Sequence, residues 1–427
     1  MESYVGNSRD MLTFIEKSPS CFHAVDNLKA MLKERGFKEL SEEDAFELKK
    51  GEGYYISRND SSLLAFRLPQ EEAGAFHITS AHSDSPCFKV KENPEIGVEG
   101  QYVKLNVEKY GGMIDSTWLD RPLSVAGRIV VKEKEGLVSK LVNIDRDLLV
   151  IPNLAIHMNR DMNKGMEYNA QTDLLPLFGD RDGKGSFREL LAKEAKVDEA
   201  AVLGYDLYLY VREKGRLLGS HEEFVFSPRL DDLQCAYACM RALAESKPPA
   251  QAVNVCVVFD NEEIGSGTRQ GAASTFLADQ LKRIYKALPG KRAEYKRMLA
   301  KSFMISADNA QAVHPNHPEK ADPTNRPYPN GGVVIKFHGS QRYATDAFSA
   351  ARMRDICSRS GVPCQTYHNR SDMAGGSTLG NISTAQVSVS TVDIGLAQLA
   401  MHSACETAGV KDTEYLLNAV RCFYEEA

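Results

Sequence analysis

The sequence predicts an α/β fold interrupted by a β-rich insertion, and three observations lead to this prediction. Up to about residue 89, a helical pattern is followed by short apolar strands. From about residue 223, apolar strands alternate with helical patterns, which is typical of a parallel sheet covered by helices. Between these parts, residues 90–222 contain short β-like runs separated by Gly, Asn and Asp. We therefore predict a discontinuous α/β domain, 1–89 and 223–427, and an inserted β-rich domain, 90–222.

The individual elements follow from hydrophobic periodicity. The first part contains a helical pattern, SRDMLTFIEKSPSCFHAVDNLKAMLKERG, interrupted at Pro19, and then the strands GYYISR, SLLAFRL and AFHITSAHSD. The insertion contains the strands QYVKLNVEKY, VAGRIVVKE, LVSKLVNI and DLYLYVRE and one helix, SFRELLAKEAKV. In the last part, the helices LQCAYACMRALAE, FLADQLKRIYKAL and FSAARMRDICSRSG alternate with the strands VNVCVVF, SFMISA and QVSVSTVDIG, and a helix ends the chain.

Composition limits the classes of function. The 427 residues are 43% hydrophobic and 26% charged, and the modest net charge of −6 is spread along the chain, which argues against a nucleic-acid partner. The nine cysteines form no C-x-x-C pair, so we expect free thiols, no cysteine-based zinc site and a cytoplasmic location. No run approaches the roughly 18 apolar residues that span a membrane, and the N-terminus carries no signal-peptide pattern, so we expect no membrane partner.

Acidic or histidine side chains stand at the ends of several predicted strands, which is where α/β sheets gather their ligands. They are His82, Asp231, Glu263, Asp308 and His402. Each has an ordinary explanation by itself: a polar strand end for His82, a helix cap for Asp231 or Asp232, and a structural histidine at the start of a helical pattern for His402. Together they form a set of oxygen and imidazole ligands that suits zinc, with Mn²⁺ or Co²⁺ as alternatives.

The number of these side chains predicts two metal ions. Five ligands exceed what one tetrahedral catalytic zinc needs, whereas two metals sharing a bridging carboxylate would use all of them. Glu262 is left over beside Glu263, so it is predicted to act as a general base. Asp84, two residues after His82, is predicted to fix the tautomer of that histidine. The competing interpretation, a dinucleotide bound at GSGTRQG, has the wrong spacing and would set two glutamates beside a pyrophosphate.

A series of sequence strings carries a more specific signal. In chain order they are HSDSP, YGG followed by STWLDRPLSVAGR, IPNLAIHMNRD, FSPRLDD, DNEEIGS, SADNAQAVHPN, GGVVIKFHGSQRYATD, GGSTLG and TVDIGLAQLAMHS. This ordered set resembles the aspartyl aminopeptidase family of dinuclear zinc metallopeptidases. The resemblance covers the chain from near the N-terminus to the last helix. It implies a three-layer α/β/α zinc-peptidase domain with an inserted β-rich dimerisation domain, assembled from dimers into a tetrahedral dodecamer.

The resemblance also implies a role for each residue in the matching strings. With two Zn²⁺ ions per subunit, Asp231 would bridge the ions, His82 and Asp308 would complete one site, and Glu263 and His402 the other. Glu262 would be the catalytic base and Asp84 the partner of His82. His157 is similar to the histidine that family members extend into the active site of a neighbouring subunit.

The implied activity is the removal of single residues from peptides with a free N-terminus, in which Glu262 activates a zinc-bridged water. Family members include enzymes that prefer acidic N-terminal residues and others that favour apolar ones. A cationic pocket would select Asp or Glu, and the candidates for substrate binding are Lys336, Arg342 and His314. Lys336 is equally consistent with a solvated lysine on a strand.

Other interpretations remain open at this point. The chain has Met113 and Asp115 where many relatives have Gly and Trp, and Asp232 where Asn is common, although no predicted ligand is removed. A catalytically silent relative that serves assembly or cargo binding would keep the same architecture. Glu262 and five intact ligand positions favour an enzyme over that alternative. A related dinuclear zinc deacylase or carboxypeptidase would share the metal ligands but lack the strings around STWLDRPLSVAGR and GGVVIKFHGSQRYATD.

Overall fold

The computed structural model describes residues 3–134, 136–290 and 293–426, and the chain forms two compact units. The first unit comprises Met1–Asp84, Gly215–Met401 and Glu406–Ala427, and the second comprises Ser85–Lys214 with the short turn His402–Cys405. The second unit thus overlaps the predicted insertion, 90–222. Among the described residues, no helix is long and apolar enough to cross a bilayer.

The strands are numbered along the chain. They are β1 (Lys38–Glu39), β2 (Gly53–Arg58), β3 (Ser62–Arg67), β4 (Ala75–His82), β5 (Cys87–Val98), β6 (Tyr102–Tyr110), β7 (Leu123–Glu133), β8 (Gly136–Asn143), β9 (Leu177–Asp180), β10 (Val202–Val211), β11 (Arg216–Leu218), β12 (Phe224–Ser227), β13 (Ala252–Phe259), β14 (Phe303–Ala307), β15 (Ala310–Gln311), β16 (Val333–Phe337), β17 (Cys364–His368), β18 (Ser390–Leu399) and β19 (Glu406–Gly409).

The α-helices are numbered in the same way. They are α1 (Ser3–Glu16), α2 (Cys21–Glu34), α3 (Ser186–Ala195), α4 (Leu230–Glu245), α5 (Phe276–Ala287), α6 (Tyr295–Lys301), α7 (Ala347–Ser360), α8 (Leu379–Thr384) and α9 (Asp412–Tyr424). At the start of α4, Asp231 and Asp232 have non-helical backbone angles, so the regular helix begins after them.

The first unit is built on one large mixed sheet with the strand order β1-β2-β3-β13-β4-β14-β18-β19-β12-β11, to which β15, β16 and β17 are attached. At its centre, β13, β4, β14 and β18 run parallel to one another. Their registers align the strand ends, since Phe259 at the end of β13 pairs with His82 at the end of β4. Residues that follow these strands therefore meet at one edge of the sheet.

Helices cover both faces of this sheet, as the continuous apolar run in β13 predicts. All eight residues of β13 are buried, and they alternate between the two faces. Val255 and Val257 belong to the core that includes α5 and α6. Cys256 and Val258 belong to the core on the other face, which includes α1, α2, α4, α7 and α9. The predicted three-layer α/β/α arrangement is confirmed.

The second unit contains a six-stranded antiparallel sheet with the order β8-β7-β10-β5-β6-β9. Its central pair, β7 and β10, runs in register from Leu123 opposite Val211 to Ile129 opposite Tyr205. Helix α3 packs against this sheet next to β8 through its buried residues Phe187 and Leu191.

One local prediction is wrong. His402 was expected to begin a helical pattern, but β18 continues through Leu399 and His402 lies in the turn before β19. The apolar run GLAQLA fits a helix as well as a strand by periodicity alone, and pairing of Leu396 with Val333 on β16 selects the strand.

A substitution at Gly127 tests how closely β7 and β10 approach each other. A Cβ atom at Gly127 would lie 2.0 Å from the backbone oxygen of Asp206 on the paired strand, so we expect Gly127→Ala to lower the free energy of unfolding by about 1–3 kcal/mol. The measurement is thermal and denaturant unfolding of the full chain. Gly204→Ala is the matched control, because a Cβ on this β10 glycine meets nothing within 4 Å. Equal effects of the two substitutions would contradict the explanation.

Candidate metal centre

The parallel strands bring five of the predicted site residues together in the first unit. His82 is the last residue of β4, Asp308 directly follows β14, and Asp231 stands at the start of α4. Glu262 and Glu263 follow β13 in a single 3-10 turn. Ligand atoms of His82, Asp231, Asp308 and the adjacent Asp232 lie within 4.8 Å of one another, and so do those of His82, Glu262 and Glu263. The predicted convergence of these strand ends is present in the geometry.

The imidazole of His82 is oriented for metal binding. Its Nδ1 lies 3.0 Å from the backbone oxygen of Asp84, and because a carbonyl only accepts, Nδ1 is the nitrogen that carries the hydrogen. Its Nε2 faces the other side, 3.4 Å from Oδ1 of Asp231 and 3.8 Å from Oδ1 of Asp308. A cation shared by these three atoms would satisfy all of them, which is the arrangement expected of a metal-binding histidine.

Asp84 does more than the sequence predicts. Its carboxylate lies 3.3 Å from Nδ1 of His82, as expected of a residue that fixes the tautomer. In addition, its Oδ1 accepts a hydrogen bond from the backbone N–H of Glu262 (3.1 Å), and its Oδ2 accepts one from that of Glu263 (3.2 Å). One buried carboxylate therefore positions the histidine and both glutamates. No sequence pattern marks bonds that join residues so far apart in the chain.

The loop that carries the two glutamates is held by Asn261. This residue adopts a left-handed conformation with φ of 63°. Its side-chain oxygen accepts hydrogen bonds from Oγ1 of Thr268 (2.7 Å) and Nε2 of Gln270 (2.8 Å), and its backbone oxygen accepts one from the N–H of Ser266 (2.8 Å). These bonds hold the Gly-rich segment that follows the glutamates in a tight loop.

Asp308 is held by Lys336 and Thr378. Nζ of Lys336 donates to the backbone oxygen of Asp308 (2.9 Å) and to its Oδ2 (3.3 Å), and Oγ1 of Thr378 donates to the same Oδ2 (2.6 Å). Thr378 was missed as a site residue, although it stands in the string GGSTLG. The alternative that Lys336 is a solvated strand lysine is wrong, because its side chain is only 2% exposed.

Asp232, the departure from the residue common in relatives, is fully buried. Its Oδ2 accepts a hydrogen bond from the backbone N–H of His82 at 3.1 Å, so it ties the start of α4 to the end of β4. The backbone N–H of the preceding Asp231 donates to Oε2 of Glu406 at 3.0 Å. These two bonds fix the Asp231–Asp232 segment from both sides.

Crowding of acidic groups shifts the pKa values throughout the cluster. Burial, assisted by Asp308, Asp84 and Asp231 and opposed by His82, raises the pKa of Glu262 to about 8. Burial and the Asp231 carboxylate raise the pKa of Glu263 well above its usual value. For His82, burial alone would lower the pKa, but the carboxylates of Asp231, Asp308 and Asp84 outweigh burial and raise it.

These shifts provide a test of whether the residues fit a metal. Burial and neighbouring carboxylates favour the neutral forms of Asp232, Glu262 and Glu263. At Asp308, the positive charge of Lys336 outweighs burial and lowers the pKa of the carboxyl group. Divalent cations bind to such sets of carboxylate and imidazole ligands, and zinc accepts both ligand types. The donor set contains no thiolate and no group that zinc disfavours. The residues present therefore fit zinc.

The remaining predicted residues are described within the unit to which each belongs. His402 belongs to the second unit, where its Nδ1 lies 2.6 Å from the backbone oxygen of Gly112, so the hydrogen is on Nδ1 and the lone pair on Nε2. His157 is exposed, in the second unit between β8 and β9. His314 and Arg342 are exposed in the first unit, and Arg342 donates to the backbone oxygen of Gly375 at 2.8 Å.

Comparison with known proteins places this geometry in a family. The family model of the aminopeptidase I zinc metalloproteases (M18) matches residues 14–424. A probable M18 family aminopeptidase 2 of Clostridium novyi (strain NT) is 46% identical over 432 residues, covering 99% of this chain and 100% of the relative.

Solved structures agree over the whole length. The chain matches one in the cryo-EM structure of the Ape4 and Nbr1 complex with a TM-score of 0.95 and 36% identity, covering 99% of this chain and 86% of that one. It matches a chain of the S. cerevisiae mApe1 dodecamer with a TM-score of 0.87 and 28% identity, covering 99% of this chain and 97% of that one. Since the family model and the curated relative both span nearly the entire chain, this protein belongs to the M18 family of zinc metalloproteases and is a metal-dependent aminopeptidase.

Proposed function

We propose that the chain removes single N-terminal residues from peptides at a dinuclear zinc site in which Glu262 is the catalytic base. The observation that carries the proposal is the cluster of buried His82, Asp231 and Asp308, with the half-buried Glu262 and Glu263 close to His82. His402 is proposed as the fifth ligand from the sequence resemblance alone, and a hydrogen on its Nδ1 would leave Nε2 as the ligand nitrogen.

Asp231 is the carboxylate best suited to bridge two ions. Its Oδ1 lies 3.4 Å from Nε2 of His82. Ligand atoms of Asp231 and Glu263 also lie within 4.8 Å of each other. Asp231 would therefore hold one ion together with His82 and Asp308 and another together with Glu263, and the sequence resemblance adds His402 to the second set.

The chemistry follows from the positions of the chain's own groups. Zinc, when bound, supplies the Lewis acidity that lowers the pKa of water and polarises a peptide carbonyl. Glu262 accepts the proton from the attacking water and delivers it to the leaving amine, and its position is set by the bond from its backbone N–H to Asp84. The carboxylates of the metal centre attract the free ammonium group at the N-terminus of the substrate. This attraction limits cleavage to the first peptide bond.

His157 is proposed to act in the active site of a neighbouring subunit, where it would stabilise the oxyanion of the tetrahedral intermediate. The segment around it exposes three large apolar side chains, Leu154 (49%), Ile156 (48%) and Met158 (74%). An exposed apolar segment of this kind marks a surface that meets another protein. We therefore propose that the inserted domain forms dimers. A solved neighbour is described as a dodecamer, which supports a tetrahedral dodecamer here as well.

The substrate preference and the cellular location are further parts of the proposal. An acidic N-terminal residue would be selected by an exposed cationic side chain, and Arg342 satisfies that condition, while the exposed His314 offers a ring N–H as a hydrogen-bond donor. An apolar N-terminal residue would leave the cationic side chain of the pocket without a charge partner. The pocket would therefore accept apolar residues less well. A cytoplasmic location is supported by the nine cysteines, none of which forms a disulfide.

Metal removal tests the dinuclear site. Dialysis against a chelator should abolish cleavage of aminoacyl amides and lower the unfolding temperature, because bound metal stabilises only the folded state. Addition of zinc should restore both, with two equivalents bound per chain by elemental analysis. Full activity with one equivalent would refute the dinuclear assignment, and no cleavage by fully metallated protein would favour a silent relative.

Glu262→Gln tests the base. The substitution keeps the shape of the side chain and removes its ability to accept a proton, so we expect kcat to fall by about 10²–10⁴-fold while zinc content stays unchanged. Glu43→Gln is a matched control at an exposed glutamate outside the cluster. Activity near that of the wild-type protein would remove Glu262 from the mechanism.

Complementation between subunits tests His157. His157→Ala and Glu262→Gln should each be nearly inactive as pure proteins. After co-expression, mixed oligomers should regain cleavage, because some active sites would combine an intact Glu262 with an intact His157 from a neighbour. Oligomers with defined composition can be isolated through two affinity tags. If mixing restores no activity although the oligomers form, His157 does not act across the interface.

A further inference from the structure

The two carboxylate oxygens of Asp308 have different surroundings. Oδ2 accepts hydrogen bonds from Oγ1 of Thr378 (2.6 Å) and Nζ of Lys336 (3.3 Å). Oδ1 lies on the side of the metal cluster, 3.8 Å from Nε2 of His82. Two strong donors therefore saturate one oxygen and turn the other toward the cluster.

The ammonium of Lys336 is fully used inside the protein. Its three N–H donors meet three acceptors, namely the backbone oxygen of Asp308 (2.9 Å), Oδ2 of Asp308 (3.3 Å) and the backbone oxygen of Asn309 (3.4 Å). The ring of Tyr343 lies on another side, with its centroid 5.2 Å from Nζ. With its side chain only 2% exposed, Lys336 has no donor left for the carboxylate of a substrate.

The backbone of Asp308 is fixed as well. Its N–H donates to the backbone oxygen of Ile394 on β18 at 3.0 Å. On the same strand, a Cβ at Gly395 would lie only 2.0 Å from the backbone oxygen of Asp308, so the two segments are in closest contact at that point. Neither the main chain nor the carboxylate of Asp308 can rotate without breaking these contacts.

From this geometry we propose that Lys336 and Thr378 are positioning residues that make Asp308 a ligand through Oδ1 alone. The inference rests on the proposed role of Asp308 as a metal ligand and assigns Lys336 to the metal centre instead of to substrate recognition. By occupying Oδ2, the two residues prevent Asp308 from binding one ion with both oxygens. The charge of the ammonium also offsets one of the buried carboxylates, which limits the negative charge that the ions must balance.

Two substitutions test the inference through metal binding. Lys336→Met removes the ammonium, and Thr378→Val removes the hydroxyl at nearly constant volume. We expect each to weaken zinc affinity about 10–100-fold in a chelator-competition titration, because partners of metal ligands contribute that much. The visible spectrum of the Co²⁺-substituted protein should change, since a freed Oδ2 alters the coordination of the ion. Thr378→Ser keeps the donor and should restore both properties, and Lys301→Met is a control at an exposed lysine.

Kinetics separate positioning from substrate recognition. If Lys336 positions Asp308, Lys336→Met should lower kcat/KM by similar factors for Asp, Glu and Leu amides at limiting zinc. Unchanged zinc affinity with a loss confined to Asp and Glu amides would overturn the inference and return Lys336 to the substrate pocket. If Lys336→Met does not fold, as judged by circular dichroism, the zinc affinity of Thr378→Val decides whether the inference holds. Failure of the proposed function itself would be seen in the wild-type protein, as absent zinc binding or cleavage.

Discussion

Several carboxylates are buried next to one another at a single edge of the central sheet, and the rest of the site is organised around that constraint. Asp231, Asp232, Asp308 and Glu263 crowd together there. Burial and neighbouring carboxylates raise the pKa values of Asp232 and Glu263 well above their usual range, whereas Lys336 and His82 outweigh burial and lower the pKa of Asp308. Part of the compensation is fixed in the fold, since Lys336 contacts Asp308 with a buried ammonium. The remaining charge is what divalent ions would supply.

The same edge explains how such a cluster can be assembled at all. Parallel strands end together, so one acid or histidine after each of β4, β13 and β14 arrives at a common point although the residues are far apart in the chain. This meeting of the strand ends was predictable from the sequence. An apolar run such as VNVCVVF identifies the strand, and the polar residue directly after it identifies the exit. The short strands of the second unit were predictable for a related reason, because short strands separated by turn residues differ in pattern from the βα units of the first unit.

Other features could not be predicted because they depend on contacts between distant residues. The bonds of Asp84 to the backbone of Glu262 and Glu263 cross 178 and 179 positions of the sequence. Thr378 reaches Asp308 across 70 positions. Lys336 shows most clearly what the sequence does not determine. A lysine in an apolar strand is equally consistent with a solvated side chain, with a substrate ligand and with a buried partner of another side chain. Only its three acceptors distinguish these cases.

The two adjacent glutamates show how neighbours in sequence can take different roles. They occupy consecutive positions of a 3-10 turn, in which successive side chains diverge by roughly 120°. Asp84 holds both backbone N–H groups, so the difference between the residues lies in where their side chains point. Beyond burial, the pKa of Glu263 responds first to Asp231, whereas that of Glu262 responds first to His82 and then to Asp308. Ligand atoms of Glu263 lie within 4.8 Å of those of Asp231, and ligand atoms of both glutamates lie within 4.8 Å of those of His82. Because the tight turn is clamped at both positions, it would let one glutamate bind metal while its neighbour moves a proton, as the proposed mechanism requires.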